Sequence, residues 1–218
     1  MRSDWLAPSA SALVVGAMAL VLGYLLNPLT QETGDLSDAV AMAEQAAGRW
    51  LGMAALLFFA SVCLTLGLPA LLSLFDRRGR RLGMAAVGVF AVGTIGLSAY
   101  GMLLVFLRAA IMNDLIRLDR LERVTDDTGL LVFLGLWVGC FYLGVLLLGI
   151  ALLVAGTTPR WVPALILVYG ASQFVGDVLG DLGTVLQFFV LAIAFTGAAV
   201  AAAERAVRED RTLSPVLR

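Results

Sequence analysis

The sequence predicts an all-α, polytopic transmembrane helical bundle with six spans, and three observations carry that prediction. Of 218 residues, 61% are hydrophobic and only 14% charged, with a mean hydropathy of +0.95, too apolar for a water-soluble domain. The apolar residues also gather into six runs separated by charged or Pro/Gly-rich breaks, each near the ~20 residues a helix needs to cross about 30 Å of hydrocarbon. Period-two alternation over segments of about 10 residues, the mark of a membrane barrel, is absent, and an open sheet would strand backbone groups in lipid. Residues 1–218 read as one integral membrane domain without linker or internal repeat.

The first run, 8–27, follows Arg2 and stops at Pro28; it reads as a retained helix, because no small-x-small cleavage pattern follows it. An acidic stretch comes next, with Glu32, Asp35, Asp38 and Glu44, and Ser37 is a suitable N-cap for a short helix ending near Ala47. Trp50 opens the second run, 50–75, as an interfacial anchor, and Pro69 predicts a kink in it. Asp76 to Arg81 is the densest positive cluster and reads as a topology signal. In the third run, 82–107, Ala85, Gly88, Gly96 and Ala99 share a face that would let a neighbouring helix approach closely. Residues 108–127 are charged yet periodic, with Ile111, Leu115 and Leu118 on one side, as in an amphipathic helix that lies in the interface, the favoured reading, or extends the third helix into water.

Asp126, Asp127 and Thr128 supply capping chemistry for the fourth run, 129–155. Gly135, Trp137, Gly139, Cys140 and Tyr142 within it read as packing residues. Cys63 and Cys140 lie mid-span and are expected as unpaired thiols. Pro163 suits the first turn of the fifth run, 161–180, and the sixth, 182–203, ends in a polar tail. The chain has no Lys, so Arg sets orientation: with six spans, ten Arg fall on the side of both termini and five on the other. Both termini are therefore expected in the cytoplasm.

Absences exclude much chemistry. With no His, zinc-protease sites, bis-His haem and Ser-His catalysis are ruled out. Without Lys no Schiff base forms, and two Cys cannot hold an iron–sulfur cluster alone. No phosphate-binding Gly-rich loop and no basic-aromatic nucleic-acid surface appear, so neither a cofactor, a metal nor a nucleic-acid partner is expected. The lipid bilayer is the expected partner, with a second copy of the chain or another membrane protein beside it.

Carboxylates survive that cull. Tyr169, Gln173, Asp177 and Asp181 recur four apart and would form one stripe on a fifth helix, beside a small-residue stripe of Ser172, Gly176 and Gly180. Asp177 within an apolar segment calls for a partner, and Arg108 or Arg49 at the same membrane face is the expected one. Asp177 and Asp181 share a segment and lack a Gly-x-Gly-Asp motif, unlike membrane aspartyl proteases. They also lack the upstream Asp-x-x-Asp-Gly of alcohol phosphotransferases.

At the junction of the fourth and fifth runs, Leu148 to Leu153, Gly156, Pro159, Arg160, Trp161 and then Asp177 resemble a family of uncharacterised multi-pass bacterial integral membrane proteins. The resemblance implies a multi-pass fold in a bacterial plasma membrane and no activity. The richness in Ala, Gly, Val and Arg without Lys also looks like a high-GC bacterial genome. Three functions are left: a structural or interaction protein without classical catalytic chemistry, which leads; a small-solute or ion transporter using the Gln173, Asp177 and Asp181 stripe; and a membrane enzyme working through carboxylates.

Overall fold

The computed structural model describes residues 5–27, 45–75, 79–113, 115, 126–173 and 176–213, with only the backbone described for 176–182 and 209–213. All its regular structure is helical: α1 (Leu6–Leu25), α2 (Ala47–Ser73), α3 (Arg80–Met112), α4 (Thr128–Ala155), α5 (Trp161–Ser172) and α6 (Gly176–Leu213). Five of these helices are long and apolar enough to cross a membrane; α5, at 12 residues, is not. In lipid only intrahelical hydrogen bonds can satisfy such apolar runs, which is why they form helices.

The helices close into a ring. Each packs on the next in sequence, α6 returns to α1, and α2 also touches α6 across the interior, whereas among the described residues the α4 and α6 backbones do not approach one another closely. Left-handed Gly79 (φ 74°) and Gly156 (φ 63°) make the α2–α3 and α4–α5 turns, a backbone region costly for any residue with a Cβ. Asp127 caps α4 as expected, its Oδ1 accepting from the Leu130 N–H at 2.8 Å.

Three sequence expectations change. Ala85, Gly88 and Ala99 are exposed, so the close-packing face of α3 is instead Gly83, Ala86, Phe90, Gly93 and Gly96. A Cβ on Gly93 would collide with the backbone of Phe141, and one on Gly144 with the backbone of Phe90. These reciprocal notches choose the packing face of α4, whose side chains are apolar all round. Residue type alone marked small positions without saying which had a neighbour. Gly135 and Gly139 have none.

The second change is Trp50, which is buried and donates from Nε1 to the Leu104 carbonyl at 3.0 Å, pinning the start of α2 to the end of α3 instead of anchoring in headgroups. The third is the fifth helix, which stops at Ser172 instead of running to residue 180. Its last carbonyls are taken by side chains: Ser172 Oγ donates to the Tyr169 carbonyl at 2.8 Å, and Gln187 Nε2 to the Ser172 carbonyl at 3.2 Å. These side chains satisfy carbonyls that the end of the ladder leaves open. Residues 108–112 continue α3, while Ser37 and residues 116–125 lie outside the described residues.

At the end of the bundle that holds Gly79 and Gly156, α2 runs through Pro69 with its hydrogen-bond ladder interrupted. Proline has no N–H to continue the ladder, and Ser9 of α1 meets the helix at that point. The Ala70 N–H donates to Ser9 Oγ at 2.9 Å and that hydroxyl donates to the Leu66 carbonyl at 2.8 Å, so the Ser9 side chain is inserted between two ladder groups. Farther along α2, Ser61 Oγ donates to the Thr94 carbonyl at 2.5 Å and Thr65 Oγ1 to the Ser61 carbonyl at 2.8 Å. Arg205 Nη1 donates to the Ser73 carbonyl at 3.1 Å, a cation at the C-terminal end of α2. Leu13, Leu64, Leu71, Phe90, Leu148, Ile166 and Phe195 fill the core between these contacts.

Candidate functional site

The opposite end of the ring is hollow. A cavity of about 350 Å³ lies between the end of α1, the start of α2, the late part of α3 and the first half of α4, with Tyr169 of α5 and Phe188 of α6 completing it. All six helices contribute because their alternating directions bring the C-terminal parts of α1, α3 and α5 and the N-terminal parts of α2, α4 and α6 together there. The α2–α3 side is fixed by the Trp50 bond and by Arg108, whose Nε donates to the Ala47 carbonyl at 2.9 Å. Glycines at 23, 93 and 96 leave room in its walls.

The walls are aromatic. Ring centroids of Tyr24 and Phe188 are 5.1 Å apart, Phe188 and Tyr169 6.0 Å, Tyr169 and Tyr142 6.2 Å, and Tyr142 and Phe141 5.7 Å. These are tilted or edge-on pairs within the favourable range for aromatic contact. One connected chain of rings thus passes through four helices.

The polar inventory of this cavity decides its chemistry. Among the described residues no charged side chain lines it, and the polar side-chain atoms come from Tyr24, Asn27, Tyr100, Trp137, Tyr142 and Tyr169. Two of them are buried without a hydrogen-bond partner, Tyr169 Oη and Trp137 Nε1. Tyr169 is 0% exposed. The Tyr142 ring packs beside that of Tyr169, and its hydroxyl does not come into hydrogen-bonding geometry with Tyr169 Oη. Leaving a buried hydroxyl or indole N–H unpaired costs about 1–3 kcal/mol, and such groups are scarce in folded proteins. Two lining one cavity therefore mark a place prepared for hydrogen-bonding atoms from elsewhere. Thr157 and Thr158 Oγ1 are also buried and unpartnered, but they sit in the α4–α5 turn at the far end and line no described cavity.

The chain matches no protein-family model, no curated protein and no solved structure. The cavity's chemistry rests on its own side chains.

Of the residues the sequence singled out, Tyr169 lines the cavity and Gln173 stands near it. Gln173 Nε2 donates to Gln187 Oε1 at 3.0 Å, and the buried Gln187 ties the pair to the end of α5. The expected stripe on a single helix does not form, because Tyr169, Ser172 and Gln173 belong to the end of α5 whereas Gly176, Asp177, Gly180 and Asp181 belong to α6. The side chains of Asp177 and Asp181 lie outside the described residues, so their expected pairing with Arg does too. Arg108 is engaged with the start of α2, and Arg49 is exposed.

The sequence reading passed over Trp137 and Tyr142 as packing residues, and over Tyr24, Tyr100, Phe141 and Phe188 altogether. A usable signal was present. Trp137 and Tyr142 stand 9 and 14 residues after Thr128, the first residue of α4, roughly 14 and 21 Å along its axis. That is away from the interfacial belts where amphipathic rings find water.

Proposed function

We propose that this chain is a multi-pass protein of a bacterial plasma membrane that holds an uncharged, lipid-soluble small molecule in its aromatic cavity. It acts as a binding or interaction protein rather than an enzyme. The observation that carries the reading is the Tyr169 hydroxyl, fully buried, unpartnered and on the wall of a cavity with volume to spare. A charged solute or an ion would need compensating charge or a dense polar cage in so apolar a setting, and the described lining residues supply neither. The cavity's size lies at the lower end of small-molecule sites, about 300–1,000 Å³.

The resemblance of the Gly156 to Trp161 turn to multi-pass bacterial proteins and the Lys-free composition support the bacterial assignment. The Arg distribution supports cytoplasmic termini, which puts the cavity in the outer half of the bilayer. Single cysteines at Ser37 and Arg80, in a background lacking Cys63 and Cys140, are expected to label from outside and inside respectively. Labelling of Arg80→Cys from outside intact cells reverses the orientation.

Benzophenone, a neutral ketone that inserts into C–H bonds on illumination, tests the binding reading. Labelling is expected to saturate, to map to Met53, Leu57 and Leu97 on the cavity wall, and to vanish when Leu97→Trp fills the space. Unsaturable labelling spread over the lipid-facing surface, indifferent to Leu97→Trp, would overturn it.

A further inference from the structure

Resting on that binding reading, we propose that the ligand is a planar, carbonyl-bearing ring on an apolar tail, the chemistry of a lipid quinone. The ring occupies the cavity and the tail runs into lipid between the first halves of α4 and α6.

The donors set the headgroup. An indole N–H can only donate, and a buried phenol without a partner is best satisfied by donating, so Trp137 and Tyr169 both ask the ligand for acceptor oxygens. With no cation or carboxylate among the described lining residues, those oxygens fit a neutral group, since an anionic acceptor would be desolvated without compensation from them. The walls set the shape. Phe141, Tyr142 and Phe188 present ring faces and edges, which suit a flat π-system more than a branched aliphatic body.

The ring of helices sets the path of the tail. About 350 Å³ holds a headgroup and leaves no room for a long chain. Among the described residues the α4 and α6 backbones do not approach closely and are joined through α5, which is about 18 Å long at 1.5 Å per residue. The Gln187 to Ser172 bond puts the end of α5 level with Gln187. Beyond that level no described residue bridges α4 and α6. The first part of α4, Thr128 to Cys140, has no buried residue. A lipid-soluble molecule can therefore reach Tyr169 and Trp137 sideways, without crossing water.

The test is thermal unfolding of the detergent-solubilised full chain, titrated with a benzoquinone bearing a ten-carbon alkyl tail and with a benzene bearing the same tail but no carbonyl. Ligand that binds only the folded state raises the melting temperature in proportion to its affinity. The quinone is expected to bind saturably and about tenfold more weakly to Tyr169→Phe and to Trp137→Phe, one hydrogen bond each. The benzene analogue should bind at least about tenfold more weakly than the quinone to the unaltered protein. Equal binding of both compounds, unaffected by Tyr169→Phe, overturns the carbonyl class and leaves the binding reading standing. If neither compound binds and benzophenone fails to label the cavity, both proposals fall. A diazirine at the end of the quinone's tail should label α4 and α6; labelling confined to α1 and α2 overturns the sideways path.

Discussion

Two places in this bundle put polar groups in an apolar interior, and they solve the problem in opposite ways. At the Pro69 break, two backbone groups freed from the helix ladder are closed by one hydroxyl, Ser9, which accepts from the Ala70 N–H and donates to the Leu66 carbonyl. At the aromatic cavity, the Tyr169 hydroxyl and the Trp137 indole N–H are equally withdrawn from solvent and have no partner. The first arrangement is complete and structural: remove Ser9 and two orphans appear. The second is incomplete without another molecule. Folding alone gives no reason to keep Tyr at 169 rather than Phe, so the contrast separates polar groups that hold the fold together from polar groups held ready by it.

The contrast can be broken most severely at the seam between the two regions. Gly144→Val would drive a branched side chain into the Phe90 backbone. It should cost about 3 kcal/mol or more in detergent unfolding, because neither helix can recede without opening the α3–α4 contact. The cavity wall formed by α4 should detach with it, so benzophenone labelling falls too.

Ser9→Ala comes next, with an expected loss of about 2 kcal/mol from stranding the Ala70 N–H and the Leu66 carbonyl. A coupled measurement sharpens this. In a Pro69→Ala background the helix can restore its own ladder, so Ser9→Ala should cost less than half as much there; equal costs in both backgrounds would show that Ser9 matters for packing alone.

The architecture was legible in the sequence because it depends on averages: runs of apolar residues and the need to satisfy backbone groups in lipid fix helices without any knowledge of neighbours. Local chemistry was legible where it acts within one turn, as at Asp127. What depends on a second helix was not. Pro69 predicted a break, but nothing in the chain links it to Ser9, 60 positions earlier. The 3.6-residue period placed Asp177 on a stripe with Tyr169, and the structure separates them because α5 ends at Ser172 and Asp177 belongs to α6. Trp137 and Tyr142 looked like packing residues because most membrane aromatics are; a buried N–H without a partner becomes visible only once its surroundings are known.

A smaller effect lies at the cavity's rim. Trp50→Phe removes the donor to the Leu104 carbonyl while keeping most of the apolar ring, so it should cost about 1 kcal/mol, half the Ser9→Ala loss. It should leave quinone affinity nearly unchanged, since Trp50 does not line the cavity.

The smallest effect on stability is the most telling. Tyr169→Phe deletes a single oxygen from a fully buried side chain, and in ligand-free protein, stripped of bound lipid, its unfolding free energy should match the parent within about 0.5 kcal/mol or exceed it, because no hydrogen bond is lost and an unpaired hydroxyl is removed. Measured beside Ser9→Ala under the same conditions, a neutral or stabilising Tyr169→Phe is the result this account predicts. A loss as large as that of Ser9→Ala would show that the Tyr169 hydroxyl already has a structural partner, and would contradict the claim that it waits for a ligand.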